Sequence, residues 1–192
     1  MIRFAVLGHL APTSGAFSLN DLPGGAGRMD VLCRCITASL FLSHGMRRDV
    51  DVFLVLLGPP DPPATVLFSG ENVRYLNPDE RSSASLIKKA LSFPRGPVFR
   101  ESTPGVFVRS GGLPELLAEH SFALLDESGD DIRKAGTLPA TYLLSDHLNL
   151  NDSEQDLARD LPRLSVGPLP LHADQAITVL LNETDRRAAG WT

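Results

Sequence analysis

Residues 163–184 read RLSVGPLPLHADQAITVLLNET, and the first half of this stretch is the part of the chain best suited to grip a ligand. Gly167, Pro168 and Pro170 interrupt an apolar run, so it cannot continue as a helix and must present bent backbone with free polar groups. Asp146-His147 follows one apolar run and Leu171-His172 follows the bend, so both pairs could stand at the carboxyl edge of a sheet, where α/β proteins hold ligands. Each pair has an equally simple structural explanation. The Gly-rich turn at 21–28, DLPGGAGR, is a third candidate, because N–H groups at a helix start beside Arg28 can bind an anion. It matches no nucleotide motif: a dinucleotide fingerprint from Gly24 needs glycines where Ala26 and Met29 stand, and the Gly-Lys-Ser/Thr of a phosphate loop is missing. A tight turn leading into a helix explains the same glycines.

Other combinations fall away. His9, His44, His120, His147 and His172 lie too far apart in sequence to suggest a local metal site, and neither a His-Glu-x-x-His helix nor a Gly-x-Ser-x-Gly elbow occurs. Cys33 and Cys35 are two apart in a helical pattern, where side chains diverge, so neither zinc nor a local disulfide is expected. One thiol in the core and one half-exposed is the expectation.

Positioning these residues requires alternating strands and helices. Residues 3–8 are β-rich; Met29, Leu32, Cys33, Ile36, Leu40 and Phe41 then recur at three and four, a helical stripe closed by His44 and Gly45. Residues 50–57 read as a buried strand, GPPDPP at 58–63 as a turn and 64–69 as the returning strand. Asn77-Pro-Asp-Glu opens a helix with a cap and a proline at the first helical position, and Lys88 and Lys89 fall in its last turn, as the helix dipole prefers. Residues 93–104 read as a loop and 106–109 as a short strand. Helix 114–120, strands 122–126 and 141–145, helix 153–160 and the bend follow; Ala173, Ala176, Ile177, Leu180 and Leu181 then form one apolar helical face. The expected fold is α/β, a mostly parallel sheet flanked by helices, in a single domain, since no repeat or linker divides the chain. The apolar faces of 173–184 and 29–41 exceed what one small sheet covers, so one of them is expected at a homodimer interface.

With 192 residues, 43% of them hydrophobic, the chain can bury a sizeable core without disulfides. No apolar run approaches a membrane span, and MIRFAVLGH has neither a basic leader nor a small-residue cleavage site, so a cytoplasmic protein with no membrane partner is expected. The net charge of −5 hides a division: residues 1–112 carry 12 Lys/Arg against 9 Asp/Glu, and 113–192 carry 6 against 14. The front half is therefore the side for a phosphate-rich partner. Within it, residues 81–109 hold six basic residues and one acid, interleaved with Phe93, Phe99 and Phe107. That pattern suits single-stranded RNA, whose phosphates need cations and whose splayed bases need flat partners. A solvated helix face beside core phenylalanines reads the same way.

A family likeness goes further than these patterns. DLPGGAGRMDVLCRCITASLFLSHGMRRDV at 21–50, NPDERSSASLIKKAL at 77–91, STPGVFVR at 102–109, LLSDH at 143–147 and LHADQAITVLLNETD at 171–185 resemble, in order and over nearly the whole chain, the archaeal tRNA pseudouridine-54 N1-methyltransferases, the TrmY family of the SPOUT superfamily. The resemblance implies a SPOUT-type α/β domain over 1–192, with an RNA-facing N-terminal half and a C-terminal trefoil knot at about 122–185. It also implies a homodimer that binds S-adenosyl-L-methionine at the knot, needs no metal, and methylates N1 of pseudouridine 54 in the T-arm of tRNA. A knot breaks the usual rule against threaded loops, so periodicity cannot reveal one.

Carried over by position, the resemblance assigns the methyl donor to Leu125, Ser145, Val166, Gly167, Pro168, Leu169, Pro170, Leu171 and Ala176. Some members of the family have Gly in place of Ser145 and Cys in place of Ala176, so a thiol role is excluded here. Pseudouridine N1 keeps a proton that must leave before it attacks, which calls for a base or a polarising contact. Asp21 is the first candidate for that task and Asp30 the second, although an aspartate at either place also serves as a cap. Arg28, Arg34, Arg47 and Arg48 are phosphate candidates, with Arg81, Lys88 and Lys89 behind them. Two alternatives stay open: a SPOUT methyltransferase acting on ribosomal-RNA pseudouridine, and a donor- or RNA-binding module without turnover.

Overall fold

The sheet is built outward from strands whose residues are apolar on both faces. β1 (Ile2–Gly8) lies between β4 (Val50–Leu56) and β9 (Thr141–Ser145) and pairs parallel with each, Phe4 standing opposite both Val52 and Tyr142. Strands buried on both faces need no polar alternation, which is why IRFAVLG and VDVFLVL are nearly continuous apolar runs. In this computed structural model, which describes residues 1–191, eight strands form one sheet. β8 (Ala123–Asp131) and β10 (Arg163–Ser165) continue it parallel beyond β9. On the other side β5 (Ala64–Ser69), β7 (Val106–Ser110) and β6 (Arg100–Thr103) continue it antiparallel beyond β4. The order β10-β8-β9-β1-β4-β5-β7-β6 is therefore a mostly parallel sheet with its antiparallel pairs on one side.

Successive residues of β1 serve opposite faces. Phe4 and Val6 pack into a core with α1 (Met29–Leu40), α2 (Glu80–Leu91) and α5 (Ala173–Ala188). Ala5 and Leu7 pack on the other side with α3 (Leu113–Glu119) and with Ala158, which follows α4 (Asp152–Leu157). α1 touches both α5 and α2 as well as β1 and β4. Cys33 and Cys35, about 200° apart around the helix, are for that reason both fully buried rather than one being half-exposed. Burial pushes both thiols well above their ordinary range. The apolar faces of α1 and α5 likewise cover each other, with Ile177, Leu180 and Leu181 buried within the one chain, so they leave no stripe that argues for a second copy.

Several boundaries differ from the pattern-based expectation, each for a local reason. Phe41 turns to extended backbone, and a small hairpin pairs β2 (Phe41–Leu42) with β3 (Gly45–Met46), so His44 belongs to a hairpin turn and not to a helix end. α2 begins after Asp79, whose carboxylate accepts the Ser82 N–H at 2.7 Å; Asn77 and Pro78 precede that cap. The stretch 93–104 contains β6, an edge strand whose exposed Arg100 and Glu101 give no apolar alternation to read. β8 runs on through the polar residues 127–131 because β10 rejoins it there, Leu164 opposite Asp130 and Ser165 opposite Asp131. Among the described residues no helix is long and apolar enough to cross a membrane.

The turn before α1 depends on one glycine. Gly27 has φ +56°, and a Cβ there would stand 1.8 Å from the Leu10 carbonyl oxygen, a backbone atom that cannot swing aside. Gly27→Ala should therefore destabilise the protein by more than the roughly 1–2 kcal/mol that left-handed backbone alone costs an L-residue. At about 2–4 °C per kcal/mol for a chain of this size, thermal unfolding should show a drop of at least about 5 °C. Gly45→Ala, whose Cβ would meet nothing within 4 Å, should leave the midpoint nearly unchanged. Equal effects from the two substitutions would contradict this description of the turn.

Candidate functional site

On the β10-β8-β9 side of the sheet, residues of β8 and the segments that leave β9 and β10 wall a cleft of about 490 Å³. One wall is the first half of β8, from Leu124 to Glu127; the second is Leu144 to Leu150, leaving β9. The bend after β10 and the first turn of α5, from His172 to Ala176, complete it. The bend is pinned by Ser165, whose hydroxyl donates to the Gly167 carbonyl at 2.7 Å and accepts from the Gly167 N–H at 3.3 Å. Leu169 is 71% exposed and Leu171 43%, so the bend presents apolar surface along the cleft. Among the described residues the backbone N–H groups of Leu169 and Leu171 have no hydrogen-bond partner, so the bend offers free donors beside apolar walls.

Of the nine residues assigned to a methyl donor by resemblance, Leu125, Ser145, Val166, Gly167, Leu169, Pro170, Leu171 and Ala176 all line this cleft; Pro168 does not. The Ser145 hydroxyl is already committed to the Leu148 carbonyl, which leaves its backbone as the group that can touch a ligand. Asp146, His147 and His172 also stand in the cleft wall, at the strand edge where the sequence put them.

A second group gathers at the start of α1. Asp30, 4% exposed, receives Arg28 Nε and Nη2 on separate oxygens, both at 3.0 Å, and Arg34 Nη1 at 2.8 Å. Burial pushes this carboxyl up, but the two guanidiniums outweigh it and hold its pKa down at about 2. Arg34 also reaches Glu80 at 3.3 Å and Asp174 at 3.8 Å. Arg28 itself sits in left-handed backbone, φ 63°, directly after Gly27. Asp21 lies apart from this group: it is exposed, and its Oδ1 accepts the Gly24 N–H at 2.9 Å as the cap of the Gly-rich turn.

The remaining basic candidates are dispersed. Arg47 makes a two-pronged pair with Asp185 at 2.8 and 2.5 Å, and Arg48 donates to the Gly70 carbonyl at 2.8 Å. Arg81 reaches Asn20 at 2.8 Å; Lys88 is tied to the Phe17 carbonyl at 2.5 Å; Lys89 is exposed. The basic and aromatic residues of 93–109 largely satisfy one another, Arg109 stacking 4.3 Å over Phe99 while pairing with Glu119. Phe99 also packs against the core on the α3 side of the sheet.

One cluster escapes sequence reasoning. His9, leaving β1, meets Asp146 of the loop after β9 and Glu154 of α4. The histidine is 137 and 145 residues from these partners, so only the β1–β9 pairing brings them together. Its position directly after an apolar strand was the one available signal. Among the described residues no group of three or more His, Cys, Asp or Glu is arranged to hold a metal ion.

Comparison with known proteins places this geometry. Residues 1–189 match a family described as putative SAM-dependent RNA methyltransferase. The tRNA (pseudouridine(54)-N(1))-methyltransferase of Methanocorpusculum labreanum is 56% identical, the match covering 97% of this chain and 98% of that protein. Its namesake in Methanospirillum hungatei is 52% identical over the whole of both chains, and that of Haloarcula marismortui is 44% identical over 96% of each. Among solved structures, Archaeoglobus fulgidus Nep1 bound to S-adenosylhomocysteine shares the fold, with a TM-score of 0.65 over 98% of this chain and 99% of that one at 15% identity. The chain therefore belongs to the SAM-dependent RNA methyltransferase family, and within it to the tRNA (pseudouridine(54)-N(1))-methyltransferases.

Proposed function

We propose that this protein methylates N1 of pseudouridine 54 in the T-arm of tRNA, with S-adenosyl-L-methionine bound in the cleft at the sheet edge. What carries the reading is identity at more than half of all positions, end to end, with relatives so named. The cleft suits the donor. Its volume is that of a small-ligand site, the leucines of the bend supply apolar walls, and the free N–H groups of Leu169 and Leu171 can read an adenine edge. Glu127 adds to the wall a carboxylate that pairs with no cation among the described residues, whereas Asp126 is paired with Arg163 and Asp146 with His9.

The donor supplies a methyl group on a positive sulfur; as N1 attacks, the N–C bond forms, the S–C bond breaks to release S-adenosylhomocysteine, and the N1 proton goes to a base. The protein's share is to hold N1 in line with that methyl and to stabilise the uracil ring as its proton leaves. Arg28 and Arg34, clamped by Asp30, provide fixed positive charge at the start of α1, and Arg28 lies within electrostatic reach of Asp146 in the cleft wall. Asp30 is suited to holding those two arginines and poorly suited to taking a proton, since its pKa is held at about 2. Asp21 is the remaining side-chain candidate for the proton. The trefoil knot belongs to the same reading and is supported by the path of the chain, which crosses β8 to add β10 before α5 returns to α1. The homodimer rests on the family resemblance, and a cytoplasmic location on the tRNA substrate.

Transfer of a labelled methyl group into T-arm RNA tests the activity. Label should enter RNA with pseudouridine at position 54 and not RNA with uridine there; label in a ribosomal-RNA fragment alone would transfer the assignment to that substrate, and binding without any label would make this a non-catalytic module. Placement of the donor is tested by calorimetric titration with S-adenosylhomocysteine. A Cβ at Gly167 would meet no protein atom within 4 Å, and the residue has no left-handed backbone, so Gly167→Val acts chiefly by occupying cleft space. It should weaken binding at least about tenfold, about 1.4 kcal/mol, while Gly25→Ala leaves affinity intact; the reverse pattern would put the donor at the Gly-rich turn. For tRNA, log affinity should fall linearly with log salt. Lys89→Ala, an exposed lysine with no ion pair among the described residues, should flatten the slope by about one unit, whereas Arg47→Ala, already paired with Asp185, should flatten it much less. Equal effects would show that Arg47 abandons Asp185 for phosphate.

A further inference from the structure

Behind the cleft, His9 is enclosed by two carboxylates that the reaction scheme does not use. Its Nδ1 stands 2.8 Å from Asp146 Oδ1, its Nε2 2.9 Å from Glu154 Oε2, and its backbone N–H donates to Asp146 Oδ2 at 3.0 Å. Side-chain exposure is 10% for His9, 1% for Asp146 and 8% for Glu154. The same carboxylates also accept backbone N–H groups, Leu148 on Asp146 at 3.0 Å and Asn151 on Glu154 at 2.8 Å. With backbone N–H groups also donating to these carboxyl oxygens, both ring nitrogens of His9 face acceptors, which is the arrangement an imidazolium satisfies with two donated bonds. The other titratable or charged groups facing this cluster are His147, with Nδ1 3.3 Å from Asp146 Oδ2, and Arg28, which acts on Asp146 through space. Neither bridges the two carboxylates.

The partners of His9 bracket one wall of the cleft. Asp146 opens the segment that carries His147, Leu148, Asn149 and Leu150 along the cleft, and Glu154 closes it as the capping-box residue of α4. One cation directly after the central strand thus ties down both ends of that wall. We propose that His9, as an imidazolium between Asp146 and Glu154, is a positioning residue that holds the 145–150 wall in the shape that binds the methyl donor, and that its deprotonation releases the wall. This rests on the cleft being the donor site.

The sign of the pH effect follows from the surroundings. The hydrogen bond to Asp146, opposed by burial and reinforced by Glu154, raises the His9 pKa to about 9. The clamp is therefore complete at neutral pH and is lost as pH rises through about 9, where a histidine without partners would have lost it near 6.5. Glu154→Gln keeps the capping box, because glutamine serves at that position too, but removes one of the two charges that hold the proton. Its loss of donor affinity should therefore begin at lower pH than in the wild type.

Calorimetric titration with S-adenosylhomocysteine from pH 6.5 to 9.5 tests this on wild type, Glu154→Gln and His9→Gln, with the thermal midpoint recorded for each. The ligand's own amine titrates equally in all three and cancels in the comparison. The expected result is near-equal affinity of wild type and Glu154→Gln at pH 6.5 and about tenfold weaker binding by Glu154→Gln at pH 8.5. His9→Gln should be weakened throughout, its donor KM raised while kcat at saturating donor holds. Superimposable pH profiles for wild type and Glu154→Gln would overturn the proposal, and so would a fall in kcat with donor KM unchanged. If His9→Gln does not fold, the comparison of the other two proteins still decides. Wild type that binds no S-adenosylhomocysteine, or a Gly167→Val variant that binds it normally, would instead overturn the donor site itself.

Discussion

The pairing of β1 with a parallel strand on each side sets the geometry of everything at the site. Parallel neighbours cannot be joined by a tight turn, so each connection must cross a face of the sheet, which puts helices on both faces and leaves the strand ends open at one edge. Phe4 stacks on Tyr142 with ring centroids 5.8 Å apart beneath the α1 layer, locking β1 to β9 through side chains as well as backbone. The loop after β1 meets the loop after β9 there, more than a hundred residues away in sequence, and the loop after β9 and the bend after β10 share the cleft. A ligand held there touches several crossovers at once, which is how a cleft made of loops acquires the rigidity of a sheet.

Charge enters this interior only in compensated groups. An isolated buried ion costs several kcal/mol, and breaking a buried pair leaves that cost uncompensated. Asp30 satisfies two arginines, and with its pKa depressed to about 2 the stabilisation it provides is present above the ordinary carboxylate range and lost only as pH falls toward 2. Around His9 the logic inverts, two carboxylates raising one histidine.

Much of this was legible from residue pattern. The strands at 50–57, 64–69 and 141–145 were readable because buried strands are apolar runs bounded by turn residues, and the bend at 166–171 because two prolines and a glycine permit little else. What periodicity missed was set by distant partners. β6 is polar because it is an edge, β8 extends through DESGDD because β10 pairs with it, and Cys35 is buried because α5 covers a helix flank. The His9 cluster was invisible for the same reason: each member is unremarkable in its own stretch, and only strand order joins them. Of the site, the donor wall could be named by resemblance, whereas the pairing of Arg28 and Arg34 through Asp30 required coordinates.

The claim on which the rest depends is that the methyl donor lies at the carboxyl edge of the parallel strands, against the bend. Amide hydrogen exchange with and without S-adenosylhomocysteine reads this directly, because Leu169 and Leu171 have unpartnered N–H groups in the free protein. Added ligand should slow exchange at 145–150 and 166–176 and leave the Gly-rich turn at 23–28 unchanged. Slowing at 23–28 with unaltered exchange across 166–171 would contradict the assignment.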